Sequence, residues 1–224
     1  KNKDYIFITS SDKDILKTKA VLYKKLLEGG TKPDNVLVLS AYNKGALGTV
    51  AINKILKKIA NPNVDSPINL QRGQTTFYVG DIVIQTKNNY KGIIVNGTEP
   101  TEDECAIYNG ETGVIVDIYK KKLIIQFDDR KVIYGSSDID NILLEYCIST
   151  HKSQGSAEDI IILISPKAHT YMLTSNLLYV GLTRMKKKLY HIGEPYVIER
   201  AAKIKEDTTR YTFLKENLSH IEKI

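Results

Sequence analysis

The chain has 224 residues, enough for one or two domains that each bury a hydrophobic core. Hydrophobic residues make up 42% of it and charged residues 26%, which excludes an intrinsically disordered protein. The formal net charge of +6 favours a polyanionic partner, although a solvated lysine-rich surface would give the same total.

The first 62 residues predict a strand, a helix, a second strand and a second helix. YIFIT is the first strand, and Ser11 with Asp14 resembles a capping box before a helix that ends at a Gly-Gly pair. NVLVLS is the second strand. A glycine-bearing loop, AYNKGALG, follows it, and the second helix runs from about Thr49 to Asn61.

Residues 75–143 predict a small antiparallel β-barrel. Short runs rich in β-branched residues are separated by Gly, Asn and Asp turns: FYVGDIVIQT, ETGVIVDIY, KKLIIQFDD and RKVIYG. Between them lies the acidic stretch NGTEPTEDEC, residues 96–105, which shows no periodicity. It is predicted to be a surface loop.

From about residue 142 the pattern predicts an alternation of strands and helices again: strand EYCIS, a polar loop, strand IIILIS, a helix at about 173–185, strand KKLYHIG and a helix from about Glu194. Such an alternation predicts a parallel sheet with helices on both faces. The predicted fold class is therefore α/β, a parallel sheet interrupted by a small barrel. The predicted boundaries are 1–74 and 144–224 for the α/β domain and 75–143 for the barrel.

The two cysteines and four histidines show no metal-ligand spacing, so no metal site is predicted. Cys147 lies in an apolar stretch, which predicts an inert buried thiol in a reducing compartment, here the cytoplasm. No segment approaches a membrane-spanning length and no signal peptide is recognised, so no membrane partner is predicted.

The loop STHKSQGS, residues 149–156, follows a predicted strand and is expected at the carboxyl edge of the sheet, where such sheets bind ligands. Thr150 and Ser153 offer hydroxyls, Lys152 offers a positive charge, and Gly155 permits close approach to a phosphate or nucleic-acid backbone. On these residues alone, a solvated turn is slightly favoured over a binding loop.

A second candidate is Arg184, near the end of the helix predicted in NLLYVGLTRMKKKLYHIG. A guanidinium there can reach across an interface and bind a phosphate in bidentate geometry. Taken alone, a surface arginine followed by a solvated lysine run is the favoured interpretation.

Taken together in this order, YCISTHKSQGS and LLYVGLTRMKKKLYHIG resemble the C-terminal motor motifs of superfamily 1 DNA helicases. The match is to the RecD-like group, which includes the exodeoxyribonuclease V alpha subunit and phage relatives. VLVLSAYNKGALGTVAINKIL resembles that family's loop and helix before the barrel, and GDIVIQTKNNY with IYNGETGVIVDI resembles its inserted SH3-like barrel. The resemblance covers residues 5 to 195 and implies a RecA-like sheet interrupted by an SH3-like barrel.

The resemblance also implies roles for the loop residues. Thr150, His151 and Ser153 would line a track for single-stranded DNA, with Lys152 supporting it electrostatically. Gln154 would lie near the nucleotide cleft, beside the following glycine, and couple the cleft to that track.

For the nucleotide itself, the resemblance implies Arg184 as an arginine finger that stabilises charge on the γ-phosphate, with Gln154 as the other catalytic residue. Gly155 and Lys44 join them as nucleotide-binding residues, and Lys44 is also a plausible nucleic-acid contact. The residues at the entry of the barrel would lie near DNA; these are Asn88, Asn89 and Tyr90.

No Gly in the sequence is followed by Lys, so no GxxxxGK[ST] phosphate loop is present, and the Asp-Glu pair at 103–104 lies in the acidic stretch. We therefore expect the C-terminal portion of an ATP-dependent DNA helicase, moving 5′ to 3′ by family analogy. ATP and Mg²⁺ would bind in the full-length protein, and this part alone would be inactive. The implied partners are single-stranded DNA, a preceding RecA-like domain of the parent chain, and subunits of an exonuclease complex.

Two alternatives remain open on the sequence. One is a non-catalytic nucleic-acid-binding module whose helicase motifs are vestigial. The other, weaker alternative is a protein-interaction platform, because small barrels also bind peptides. Binding that falls steeply with salt would favour nucleic acid over a peptide.

Overall fold

The computed structural model of the chain describes residues 4–153 and 157–204. In that part, five strands form a parallel sheet, seven form an antiparallel sheet and two form a separate hairpin. The strands are β1 Tyr5–Thr9, β2 Val36–Ser40, β3 Asn69–Arg72, β4 Thr75–Tyr78, β5 Ile82–Gln85, β6 Asn89–Asn96, β7 Glu99–Ile107, β8 Thr112–Tyr119, β9 Lys122–Phe127, β10 Arg130–Tyr134, β11 Ile142–Leu144, β12 Cys147–Ser149, β13 Glu158–Ser165 and β14 Met185–Gly193. The helices are α1 Ile15–Glu28, α2 Thr49–Ala60, α3 Ser175–Leu182 and α4 Pro195–Lys203. None of these helices is long and apolar enough to cross a membrane.

The parallel sheet has the strand order β1-β14-β13-β2-β12, and every neighbouring pair is parallel. Successive side chains of a strand point to opposite faces. Val36 and Val38 of β2 therefore pack in the core that contains α1 and α2, whereas Leu37 and Leu39 pack in the core that contains α3 and α4. The sheet is buried on both faces, and the predicted RecA-like sheet is confirmed.

The antiparallel sheet follows α2 in the chain and has the strand order β11-β5-β8-β9-β10-β6-β7. Ile115, Ile125 and Phe127 belong to a core that is continuous with that of α1 and α2. The antiparallel pairing agrees with the predicted SH3-like insertion. Within the described residues the two end strands, β7 and β11, do not pair with each other, so the strand order is open.

A long hairpin, β6–β7, replaces the surface loop predicted for residues 96–105, so that prediction is wrong. Asn96 pairs with Glu99 across a two-residue connection, in which Gly97 has the positive φ of +65° that the hairpin turns of this length require. The acidic side chains lie on a strand at the end of the sheet, where charge discourages pairing with other chains. An Asn-Gly pair was the available signal in the sequence, and the acidic composition obscured it.

Three smaller predictions are corrected by local hydrogen bonds. The Ser11 hydroxyl donates to the Asp14 carboxylate at 2.7 Å and no side chain caps α1, so the pair is not a capping box. Helix α3 is shorter than the predicted 173–185, because Thr174 Oγ1 accepts from the N–H of Leu177 and caps its start. The run FYVGDIVIQT contains two strands, β4 and β5, because the chain turns at Gly80 with φ +90°.

Helix α1 buries a lysine. Lys19 is fully buried, four residues from each of the buried Ile15 and Tyr23, and its Nζ has no hydrogen-bond partner among the described residues. Burial lowers the pKa of Lys19 to about 8, against a smaller opposing effect of Cys147. The charged form of this lysine is therefore disfavoured in the folded protein.

We expect Lys19→Met to raise the free energy of unfolding at pH 7 by about 2–3 kcal/mol, because one pKa unit corresponds to about 1.4 kcal/mol. The folded pKa lies below the unfolded one, so the cost is fully present below pH 8 and disappears as the pH rises towards the ordinary pKa of lysine. Urea unfolding of the wild-type chain and of Lys19→Met, at neutral and at alkaline pH, measures the difference in their free energies of unfolding. The other titrating groups are the same in both proteins, so their contributions cancel in that difference. A difference that does not shrink at alkaline pH would contradict this assignment.

Candidate functional site

The carboxyl ends of the parallel strands bring several loops to one edge of the sheet. These loops follow β1, β2, β13 and β12, and they begin at residues 10, 41, 166 and 150. Strands β2 and β12 are neighbours, and the N–H of Thr150 donates to the carbonyl of Ser40 at 3.0 Å. The loops that carry Lys44 and His151 therefore leave adjacent strands.

The start of the loop after β12 is held by its own hydroxyls. Thr150 Oγ1 donates to the Ser40 carbonyl at 3.4 Å, and Ser153 Oγ donates to the Thr150 carbonyl at 2.7 Å. Both residues are buried, so these hydroxyls shape the loop and do not lie on its surface. His151 and Lys152 are exposed and are the two side chains here that can meet a partner directly.

The edge of the sheet next to this loop is closed by a side chain from α2. Asn53 Nδ2 donates to the carbonyl of Cys147 at 2.7 Å, and the N–H of Cys147 donates to Asn53 Oδ1 at 2.8 Å. The buried amide thus takes the place of a further strand and satisfies both backbone groups of Cys147. Asn53 fixes β12, and with it the first residue of the loop.

The loop then crosses from the carboxyl edge of the sheet to the amino edge, where β13 begins. Ser153 reaches Arg184, whose Nη1 donates to the Ser153 carbonyl at 3.5 Å. The carbonyl of Arg184 accepts from the N–H of Glu158 at 3.0 Å, at the start of β13. Gln154 and Gly155 lie outside the described residues, in the segment between these two contacts.

Arg184 follows the carboxyl end of α3 and is held against that helix. Its Nε donates to the Val180 carbonyl at 3.1 Å and its Nη2 to Thr183 Oγ1 at 3.3 Å. The guanidinium is half-buried. Helix α3 packs closely on the sheet, since a Cβ at Gly181 would lie 3.0 Å from Leu163. Arg184 is therefore a positioned cation rather than a free surface arginine.

Lys44 is exposed on a tight turn between β2 and α2. The N–H of Gly48 donates to the Gly45 carbonyl at 3.1 Å, and Thr49 Oγ1 donates to Asn43 Oδ1 at 3.1 Å. A Cβ at Gly48 would lie 2.3 Å from the carbonyl oxygen of Lys44, so this turn requires glycine there. The turn presents the Lys44 ammonium at the same edge as the exposed residues of the loop after β12.

Asn89 and Tyr90 begin strand β6 of the antiparallel sheet, and Asn88 directly precedes them. Asn88 Nδ2 donates to the Tyr90 hydroxyl at 2.8 Å, and Asn89 Oδ1 accepts from the N–H of Lys91 at 3.1 Å. Tyr90 is 66% exposed and meets the exposed Tyr108 edge to face, with ring centroids 6.3 Å apart. The sequence did not single out Tyr108. It lies 18 positions after Tyr90 in the chain, and the pairing of β6 with β7 brings the two rings together.

For ATP and Mg²⁺, which the family implies, the described residues fit in part. Arg184 is a cation suited to a phosphate. In contrast, no group of three His, Cys, Asp or Glu side chains suited to a metal occurs in residues 4–153 and 157–204.

Comparison with protein families gives two matches along the chain. The family model for the ATP-dependent RecD-like DNA helicase SH3 domain matches residues 52–127. The model for the UvrD-like helicase C-terminal domain matches residues 144–192, which include both the loop after β12 and Arg184.

Comparison with known proteins and with solved structures gives further similarities. The ATP-dependent RecD2 DNA helicase of Deinococcus radiodurans is 28% identical over 188 residues, which are 84% of this chain and 24% of that protein. The RecBCD enzyme subunit RecD of Mycolicibacterium smegmatis is 25% identical over 186 residues, 83% of this chain and 29% of that protein. The Pif1 helicase from Bacteroides, solved with ADP-AlF3 and ssDNA, is 15% identical with a TM-score of 0.49 over 94% of this chain and 53% of that one, too weak a likeness to carry an argument.

This chain thus spans about a quarter of the length of those two relatives. The domain boundaries and the individual site residues stay predictions. The two matched domains lie in the order that the sequence motifs predicted, and the folds of both regions agree with them. Both matches, together with the fold, support the C-terminal region of a RecD-like superfamily 1 DNA helicase for this chain.

Proposed function

We propose that this chain is the C-terminal motor part of an ATP-dependent DNA helicase that moves 5′ to 3′ along single-stranded DNA. The observation that supports it best is the loop after β12, which begins at the carboxyl edge of the sheet with Thr150 and contacts Arg184 at the amino edge. One segment thus connects the edge suited to DNA with the cation suited to a phosphate. A change at either end can be transmitted through it.

The chain contributes two functions to this proposal. At the carboxyl edge, His151, Lys152 and Lys44 contact the DNA backbone. At the amino edge, Arg184 stabilises charge on the γ-phosphate of ATP held by a preceding RecA-like domain of the parent protein. ATP supplies the free energy that opens and closes the two domains. The parent acts in the cytoplasm, as a subunit of an exonuclease complex or as a separate helicase.

Binding of a fluorescent thymidine oligonucleotide to the isolated chain, measured by anisotropy at rising salt concentration, tests the DNA part. We expect binding that weakens steeply with salt, because lysines replace counterions on the phosphates. Lys152→Ala should lower the slope of log affinity against log salt by about 1. Lys24→Ala, an exposed lysine that pairs with Glu28 on α1, is the matched control and should leave the slope unchanged.

The same preparation tests the catalytic part. With no glycine-lysine pair in the sequence, the isolated chain should not hydrolyse ATP, with or without DNA. DNA-stimulated hydrolysis by the chain, or DNA binding that is independent of salt, would contradict the proposal.

A further inference from the structure

A cavity of about 460 Å³ opens at the carboxyl edge, between the loop after β2, the loop after β13 and the start of α1. Its size is in the range of small-molecule sites. Leu16, Leu47 and Ala168 give it a largely apolar wall, Tyr42 and His169 give it aromatic rings, and Lys44 supplies a cation. No residue named above as a DNA or nucleotide contact other than Lys44 lines it.

The aromatic wall is a pair of rings that the sequence did not connect. Tyr42 is half-buried, and its ring centroid lies 4.6 Å from that of His169 at an angle of 59°. His169 is 5% exposed, and burial lowers its pKa to about 4, so the ring is neutral and aromatic at neutral pH. Its Nδ1 has no hydrogen-bond partner among the described residues. An unpaired buried polar atom lowers stability unless a ligand or a water molecule forms a hydrogen bond with it.

The loop that carries His169 is anchored by Asp12, which also lines the cavity. The Asp12 carboxylate accepts from the N–H groups of Lys167 and Ala168, at 2.7 and 2.8 Å. These two hydrogen bonds to the loop after β1 hold the segment that carries the histidine. A ligand that packs on Tyr42 would find a fixed surface beneath that ring.

The mouth of the cavity fits a phosphate. Lys44 is exposed, and next to it Gly45 has φ +87° with no atom within 4 Å of the place where a Cβ would lie. The open backbone and the ammonium together leave room for a charged chain. The adjacent strand β12 leads to the exposed His151 and Lys152, so a strand of nucleic acid can lie across both loops.

We propose that this cavity takes one nucleotide of single-stranded DNA, with the base packed on Tyr42 and its phosphate beside Lys44. The inference rests on the proposed function, which it extends from the DNA backbone to a base. Every base has a face that can stack on an aromatic ring, so the cavity holds the strand without reading its sequence.

The test compares two oligonucleotides of equal length with the chain, one of thymidine and one without bases. We expect the wild-type chain to bind the thymidine strand more tightly, and Tyr42→Ala to reduce that preference about 5- to 150-fold, the range for one stacked base. Tyr42→Ala should leave the affinity for the strand without bases unchanged. Tyr42→Phe should keep the preference, and Lys44→Ala should weaken both complexes equally. Tyr119→Ala, at the last residue of β8, is the matched control and should change neither.

The outcomes separate the two ideas. No binding of either strand by the wild-type chain would overturn the proposed function, and the cavity with it. Binding of both strands with a preference that Tyr42→Ala leaves intact would overturn the cavity alone. Equal weakening of both complexes by Tyr42→Ala would also overturn it, because that result indicates a disturbed loop and not a lost stack. Displacement of the oligonucleotide by free thymidine monophosphate at low concentration would assign the cavity to a free nucleotide instead of a strand.

Discussion

Replacing Arg184 by alanine in the full-length parent enzyme is expected to lower DNA-stimulated ATP turnover about a thousandfold or more, the range known for arginine fingers. In the proposed function, Arg184 neutralises charge that develops on the transferring phosphate. Arg184 is fixed by the Val180 carbonyl, Thr183 Oγ1 and the Ser153 carbonyl, so its guanidinium needs little reorganisation. Affinity for single-stranded DNA should change little, because the exposed side chains proposed to contact DNA follow the carboxyl edge of the sheet, opposite to the edge where Arg184 precedes β14.

Steady-state hydrolysis with saturating oligonucleotide measures turnover, and anisotropy measures DNA binding in the same preparation. Arg184→Lys keeps the charge but loses the fork of donors, so an intermediate loss is expected. Arg200→Ala, an exposed arginine of α4, serves as the control for charge removal. If turnover survives in Arg184→Ala, the finger assignment is wrong, and a non-catalytic DNA-binding role for this region gains support.

The largest effect on stability is expected at Asp81, which is fully buried between α2 and the antiparallel sheet. Its carboxylate accepts from Asn61 Nδ2 at 2.8 Å, the Tyr146 hydroxyl at 3.1 Å and the N–H of Tyr78 at 3.0 Å. Lys57 Nζ lies 3.7 Å away. Burial raises the pKa of Asp81 and lowers that of Lys57, so each charge depends on the other for its place in the core.

Asp81→Ala should lower the free energy of unfolding by about 3–5 kcal/mol, because it leaves the Lys57 ammonium buried without its counterion. Urea denaturation at pH 7 measures the change. The double variant Lys57→Met/Asp81→Leu should recover only part of it, since it removes the buried ammonium but leaves the donors of Asn61, Tyr146 and Tyr78 without their acceptor. Asp140→Ala removes an exposed partner of Arg72 and is the control, with little change expected. A small effect of Asp81→Ala would mean that solvent reaches Lys57.

The sequence was sufficient for the features that depend on neighbouring residues. The run Ile160–Ile164 could only be a buried strand, and the Gly-Gly pair after α1 marked the end of that helix. Features that depend on distant pairing were not accessible. Asn53 and Cys147 are 94 positions apart, and nothing local to Asn53 shows that its amide serves a strand edge.

The candidate site divides in the same way. Lys152 and Arg184 were identified because they lie in short motifs whose order along the chain is specific. The pairing of Tyr42 with His169 was missed, because 127 residues separate them and each is unremarkable in its own segment. The resemblance implied that Thr150 and Ser153 line a DNA track, which stays a prediction; in the fold both hydroxyls donate to backbone carbonyls, which the sequence does not show.

The amide of Asn53 has a mechanical consequence. Helix α2 begins directly after the turn that presents Lys44, and β12 ends directly before the loop that presents Lys152. Because two short hydrogen bonds join that helix to that strand, neither can slide past the other without breaking both. The two cations therefore behave as points on a single rigid body. In a motor that alternately binds and releases DNA, Lys44 and Lys152 would therefore move together. The conformational change would have to occur in the segments outside this helix and strand.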